Sequence, residues 1–195
     1  MKNSEFIGAD KTVRPALKKE YPPVLDVCCG YRGMWFNKKD DRCMFQDIRS
    51  CDYSIPPNAA YPRGTVLQIR PDHVGNFTNM DFPDNTFRIV VMDPPHMRRK
   101  NPAEMLKIKY GVLEGDWKEM LQMGIDECFR VLLPGGVFIF KWCEYSIPLR
   151  EILALTEHKP LFGHKSGKQS KTHWMCFMKQ ESPVLGEESP AQNTM

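Results

Sequence analysis

The residues best able to do chemistry lie in one stretch, IVVMDPPHMRRK, at positions 89 to 100. Asp93 closes a run of β-branched and apolar residues. Pro94 and Pro95 follow, then His96, then the cations Arg98, Arg99 and Lys100. A carboxylate and a backbone carbonyl both accept hydrogen bonds. Prolines fix φ and restrict the residue before them, so acceptors at Asp93 and Pro94 would be held in place before any donor arrives. His96 is planar and can stack on a ring, hydrogen-bond or accept a proton. The cations suit an anionic partner. The plainer alternatives are a strand-ending turn and a solvated loop face.

Two other acids stand in the same kind of place. Val24 to Val27 is expected as a first strand, with Asp26 near its end and the loop CCGYRG after it. Cys43 to Asp47 is a second strand that ends on an acid. His73 to Phe77 is a weak third strand and Phe87 to Met92 a strong fourth, ending at Asp93. Val137 to Trp142 is a fifth strand, entered through a turn at Pro134-Gly135-Gly136, and Thr172 to Met178 is the last. Residues 52–72 hold four prolines and read as loop, with a small strand at Val66 to Ile69. A helix is expected over 116–131, where Trp117, Met120, Leu121, Ile125, Cys128 and Phe129 share one face. A second amphipathic helix is expected over 147–157. Strands alternating with helices imply an α/β fold: a Rossmann-like, doubly wound, mostly parallel sheet with an antiparallel C-terminal hairpin strand. In such sheets ligands gather at the carboxyl ends of the strands, where Asp26, Asp47 and Asp93 converge.

The bulk properties fit one domain. The chain has 195 residues and 42% apolar content, enough for a sizeable core. The division expected is a lead-in over 1–21, a catalytic domain over 22–179 and a disordered acidic tail over 180–195. No run suits a transmembrane helix and the N-terminus lacks a signal-peptide core, so a cytoplasmic protein is expected, with no membrane partner. The seven cysteines are scattered with no CxxC, which suggests free thiols in a reducing compartment and no metal site. The net charge of +3 hides a split. Residues 181–195 hold three glutamates and no Lys or Arg, leaving +6 on the rest, which suits a polyanionic partner.

An acid closing each of the first two strands, with a glycine-containing turn between, suits an adenosine cofactor. Glycine admits a close ligand, and a carboxylate accepts from both ribose hydroxyls. NAD and S-adenosyl-L-methionine both fit at this point, although the absence of GxGxxG disfavours a dinucleotide. Three segments then resemble class I methyltransferases that use S-adenosyl-L-methionine, and they occur in that family's order. They are VLDVCCG, DFPDNTFRIVVMDPP and RVLLPGGVFIF. The resemblance spans about residues 22 to 179. It implies S-adenosyl-L-methionine as cofactor, and sets Asp26, Cys28, Gly30, Asp47, Asn76, Phe77 and Asp93 against it. Asp47 would meet the ribose, and Asn76 and Phe77 the adenine, with Phe77 as a plain core residue the alternative. Two departures stand in the loop: Cys28 replaces the first glycine and Arg32 the third, with Gly33 one place later.

DPPH also resembles the [DNS]-PP-[YFWH] motif of methyltransferases that modify amino nitrogens. An exocyclic amino group on a base has its lone pair delocalised into the ring. Hydrogen bonds to the Asp93 carboxylate and the Pro94 carbonyl favour a pyramidal nitrogen whose lone pair can reach a methyl donor. The resemblance therefore implies catalytic roles for Asp93, Pro94, Pro95 and His96. His96 would stack on a flipped base or take part in proton transfer. DPPH, KYGVL, FKW and the P-LFGHKSGK-THW-FMK ending together resemble small methyltransferases of bacteriophages and prophages. That likeness implies methylation of a DNA base, adenine N6 first. Arg98, Arg99, Lys100, Lys165, Lys168 and Lys171 are the candidate nucleic-acid contacts. RNA, a protein amide or a small molecule remain alternative substrates, and a non-catalytic nucleic-acid-binding protein is a further alternative. A monomer and a homodimer are both compatible with the sequence.

Overall fold

The computed structural model describes residues 20–98, 104–165, 167 and 169–181. Most of the expected lead-in and tail, and the candidates Arg99, Lys100 and Lys168, lie outside the described residues. The main sheet contains β1 (Val24–Asp26), β2 (Cys43–Asp47), β5 (His73–Val74), β6 (Phe87–Met92), β7 (Leu132–Cys143) and β8 (Thr172–Met178). Its order is β5-β2-β1-β6-β7-β8. The pairs β1/β2, β1/β6, β2/β5 and β6/β7 are parallel, and only β7/β8 is antiparallel. The sheet is thus mostly parallel with an antiparallel C-terminal strand pair. The strand order reverses at β1, which has β2 on one side and β6 on the other. The crevice outside their carboxyl ends is the place such sheets offer to a ligand.

Burial explains the strands. Leu25, Phe45, Phe87, Val90 and Met92 are fully buried, as expected of a sheet covered on both faces. Helix α2 (Trp117–Val131) covers part of it. Its N-cap Asp116 accepts hydrogen bonds from the amides of Lys118 and Glu119. Trp117, Leu121, Ile125, Cys128 and Phe129 form its buried face, so the helical periodicity in the sequence reads correctly. Its last carbonyls meet a cation: the Lys179 ammonium donates to the carbonyls of Phe129 and Leu132 at 2.6 and 2.8 Å.

Three local expectations change. Residues 52–72 hold the small strand expected at Val66 to Ile69, but also a second strand that pairs with it. Strands β3 (Cys51–Ile55) and β4 (Thr65–Ile69) pair antiparallel in a separate two-stranded sheet, with the prolines mostly confined to its turn. A short helix, α1 (Glu104–Tyr110), follows β6. Pro134, Gly135 and Gly136 lie within β7, where the register with β6 shifts. The helix expected over 147–157 is short, α3 (Leu149–Leu153). Among the described residues the links from β1 to β2 and from β2 to β5 are a loop and the β3/β4 hairpin. The three helices among the described residues all follow β6. No helix among the described residues is long and apolar enough to cross a membrane.

Candidate active site

One cleft of about 610 Å³ runs along the carboxyl ends of β1, β2, β5 and β6. This is within the range of cofactor and substrate sites. Its wall joins the two ends of the sheet that the sequence treats separately. Cys28, Gly30, Asp47, Asn76 and Phe77 line one part, and Asp93, Pro94, Pro95 and His96 the other. Helix α1 and the residues after it close a side, contributing Lys107 to Val112.

Asp47 is buried at the end of β2. Its Oδ2 accepts the Gly30 amide at 2.8 Å, and its Oδ1 accepts the Arg49 amide at 2.9 Å and Nε at 3.0 Å. Arg49 Nη2 adds a longer bond to Oδ2 at 3.3 Å, while Nη1 donates to the Ile108 carbonyl at 3.0 Å. Arg49 therefore ties the acid at the end of β2 to helix α1. Gly30 is held against Asp47 as a close-approach loop requires. The neighbouring position answers the second departure in that loop. Arg32 adopts φ 56°, a conformation glycine would take without strain. The guanidinium offsets that cost by packing 3.8 Å over the Phe45 ring and donating to the Lys38 and Arg70 carbonyls and to Asp72.

Asp26 behaves differently. It does not line the cleft and is wholly buried. Oδ2 accepts Trp35 Nε1 at 2.7 Å and Oδ1 accepts the Cys28 amide at 3.3 Å. Burial pushes its carboxyl up from 3.8 to about 7, against the opposing pull of these two bonds. It shapes the Cys28–Gly30 loop from behind. Burial also pushes the Cys28 thiol up, which disfavours its thiolate although it lines the cleft.

At the end of β5, Asn76 Oδ1 accepts the Thr78 amide at 3.0 Å in a tight turn that turns Phe77 inward. Phe77 is partly buried in the core, and its ring faces the cleft. A Cβ at Gly124 of α2 would stand 2.5 Å from that ring, so the glycine is what lets the ring approach the helix.

At the chemical end, Asp93 Oδ2 accepts Lys141 Nζ at 2.5 Å, and both side chains are about a quarter exposed or less. Oδ1 of Asp93 has no hydrogen-bond partner among the described residues. His96 sits between Tyr110 and Trp142, with ring centroids at 6.3 and 6.1 Å. Its Nδ1 is buried without a partner among the described residues. Burial lowers its pKa below 6.5, with the Asp93 charge pulling the other way, so a neutral imidazole prevails at pH 7. Gly111 closes the wall: with φ 69° it turns the chain after α1, and a Cβ there would lie 2.8 Å from Pro95. The KYGVL stretch thus packs directly on the DPPH prolines.

The cations divide. Arg98 is exposed, its guanidinium 5.8 Å from the Trp117 ring, and it does not line the cleft. Lys165 is paired with Glu144 at 3.3 Å, and neither it nor the exposed Lys171 lines the cleft. The cleft takes Lys107, Lys109 and Lys141 instead. Lys109 Nζ lies 5.5 to 5.7 Å from the rings of Tyr31, Tyr61 and Tyr110. A bond to Tyr61 raises its pKa, and Tyr110 hydrogen-bonds Tyr31. Three separate segments therefore meet in one aromatic and basic rim, of which Tyr31, Lys109 and Tyr110 line the cleft. Sequence reasoning passed over Lys141, Arg49, Tyr31 and Tyr61, although Lys107, Lys109 and Tyr110 stand out in it as a basic and aromatic cluster. For Lys141 a signal existed in the alternation of Phe140-Lys141-Trp142, which turns lysine away from the two buried rings. Among the described residues no group of His, Cys, Asp and Glu could hold a metal ion.

No family model matches the chain, and no curated protein matches it. Solved structures give likenesses at low identity. A protein of Pyrococcus horikoshii is 16% identical, with 80% of this chain and 81% of that one covered and a TM-score of 0.48. A TehB-like SAM-dependent methyltransferase from Corynebacterium glutamicum is 12% identical, with 85% and 84% covered and a TM-score of 0.49. The 1,6-didemethyltoxoflavin-N1-methyltransferase of Burkholderia thailandensis, solved with S-adenosylhomocysteine, is 15% identical, with 81% and 71% covered and a TM-score of 0.45. At such distances, function has to come from the residues of the cleft.

Proposed function

We propose that this chain is an S-adenosyl-L-methionine-dependent methyltransferase that modifies an exocyclic amino nitrogen of a nucleic-acid base, adenine N6 in DNA first. The observation that carries the proposal is the pairing of two ends in one cleft. The acceptor pair of Asp93 and Pro94 opens onto the same space as Asp47, Gly30, Asn76 and Phe77.

The residues present fit the cofactor. Gly30 gives close backbone approach, Asp47 supplies a carboxylate for ribose hydroxyls, and Asn76 and Phe77 offer an amide and a ring to the adenine. When bound, the cofactor supplies an electrophilic methyl group on a sulfonium sulfur. Everything else falls to the chain. Asp93 Oδ1 accepts one N–H of the target amino group and the Pro94 carbonyl the other. The prolines keep both acceptors fixed, so little reorganisation is needed. His96, neutral and with Nδ1 unpartnered, lies against the target ring as a stacking surface and has a lone pair for a proton. Tyr110 and Trp142 hold its ring.

Tritiated S-adenosyl-L-methionine offered separately to unmethylated DNA, RNA and protein extract, followed by nucleoside analysis, tests this directly. Label in N6-methyladenine of DNA is the expected result, and label only in a peptide or small molecule would overturn the substrate. One observation favours a second substrate, a small amino compound such as a free nucleoside. Lys109, Tyr31 and Tyr110 line the cleft, with Tyr61 beside the lysine, and the described cations of the 163–171 loop stand outside it.

A further inference from the structure

Two stretches that the cleft description leaves partly unused, FKW and THW, come together around one contact, that of Lys141 with Asp93. Lys141 sits on β7 directly opposite Trp174 of β8. Its neighbours Phe140 and Trp142 are buried, stacked on each other at 6.0 Å, and Trp142 Nε1 donates to the Ile147 carbonyl at 3.1 Å. These anchors fix the strand's register, and a one-residue slip would drive the lysine into the core. Lys141 is thus held on the cleft side of the sheet. Its ammonium reaches Asp93 Oδ2 at 2.5 Å while lying 5.5 Å from the Trp174 ring. Trp174 is 46% exposed, an unusual place for an indole that only fills space. Beside the ammonium it gives a cation–π contact that narrows the positions the lysine can take.

We propose that Lys141 is a positioning residue for Asp93, buttressed by Trp174. This rests on the amino-methyltransferase function above. A carboxylate at a strand end can rotate about its terminal torsion, and either oxygen can then face the target. The ammonium on Oδ2 removes that freedom and leaves Oδ1, with its own lone pairs, toward the amino group. A carboxylate has about four acceptor sites, so the target need not displace the lysine. The ammonium also balances the negative charge that Asp93 brings to a partly buried place beside Asp47 and Asp26. An ornamental ion pair at this exposure would contribute little to anything.

The test compares Lys141→Met, Lys141→Arg, Trp174→Phe and Asp93→Ala, using tritiated S-adenosyl-L-methionine with unmethylated DNA. Cofactor affinity is read by calorimetry and Tm by scanning. Lys141→Met should lower kcat by about 10- to 100-fold, as misplacement of a reacting group does. Cofactor Kd should stay within about twofold and Tm within a few degrees, while Lys141→Arg regains much of the loss. Trp174→Phe should fall between Lys141→Met and wild type. A second readout needs no activity: amine labelling followed by mass spectrometry should show Lys141 more reactive in Asp93→Asn than in wild type. Full kcat in Lys141→Met while Asp93→Ala is inactive would overturn the positioning role alone. A parallel loss of kcat and Tm that arginine does not restore would reduce the residue to a structural one and overturn it too, as would unchanged labelling. Transfer by Asp93→Ala would instead overturn the underlying function.

Discussion

Asp47 and Asp93 occupy equivalent places, at the carboxyl ends of β2 and β6 on either side of β1, and each faces a cation. Their surroundings nonetheless differ. Asp47 receives bonds on both oxygens, from the Gly30 amide and from Arg49. Asp93 receives Lys141 on Oδ2 alone. The guanidinium is a rigid fork that covers a carboxylate, whereas the ammonium is a point donor that takes one oxygen. The first acid holds the Gly30 loop and Arg49 in a fixed frame. The second keeps an acceptor in reserve. Asp26, at the matching end of β1, shows a third outcome, for it is sealed behind the loop and takes no part in the cleft surface. Position on the sheet is therefore not enough to assign a role, and the cation and the depth of burial decide it.

The sharpest way to break this contrast is Asp47→Ala. It strands Arg49, frees the Gly30 amide and removes the proposed ribose acceptor. Hydrogen bonds to charged groups run to about 1.5–3 kcal/mol each. Cofactor affinity should therefore fall by at least about 100-fold, with a lowered Tm. Calorimetry showing unchanged affinity would remove Asp47 from the cofactor end.

A smaller effect separates Asp26 from the other two acids. Its folded-state pKa is raised, from 3.8 to about 7, so the unfolded chain ionises first as pH rises. Over pH 4 to 7 the unfolded state binds fewer protons than the native one, and stability falls as pH rises through that window. At 1.36 kcal/mol per unit this amounts to roughly 4 kcal/mol at most. Asp26→Asn should lose that decline, while being less stable than wild type at pH 4.5 because one of the Trp35 and Cys28 donors loses its acceptor. Urea unfolding at pH 4.5 and 7.5 measures both. A difference between variant and wild type that stays the same at the two pH values would show that Asp26 is an ordinary ionised carboxylate.

The smallest expected effect concerns His96. His96→Tyr keeps a flat ring between Tyr110 and Trp142 but has no basic nitrogen, so kcat should change by less than about tenfold if stacking is its main work. A loss of two orders of magnitude, as for general-base catalysis, would assign proton transfer instead.

How much of this was legible depended on the kind of signal. Strands β1, β2, β6 and β8 and helix α2 show in the sequence because burial forces apolar periodicity on them. The β3/β4 hairpin shows only in part. The small strand expected at Val66 to Ile69 is β4, whereas Pro56, Pro57 and Pro62 cluster in the turn and hide its partner β3, which mostly alternates half-buried with exposed residues. Helix α1 is short and rich in lysine, and its place is set by contacts such as Arg49 with the Ile108 carbonyl. The acids were legible as strand ends, but their partners lie far off in sequence. Lys141 stands 48 positions from Asp93. Only the fold shows that Arg49 covers one acid and Lys141 half of another. The cations after DPPH were legible as a cluster, yet burial and pairing decide which cations reach the cleft, and Lys107, Lys109 and Lys141 do.

The most direct measurement pairs Asp93→Ala with cofactor binding. If Asp93 is the acceptor for the target amino group and Asp47 belongs to the cofactor end, Asp93→Ala should abolish methyl transfer from tritiated S-adenosyl-L-methionine. Calorimetry should still show cofactor binding within a few-fold of wild type. Transfer at the wild-type rate by Asp93→Ala, or no binding of the cofactor by the wild-type protein, would contradict the account.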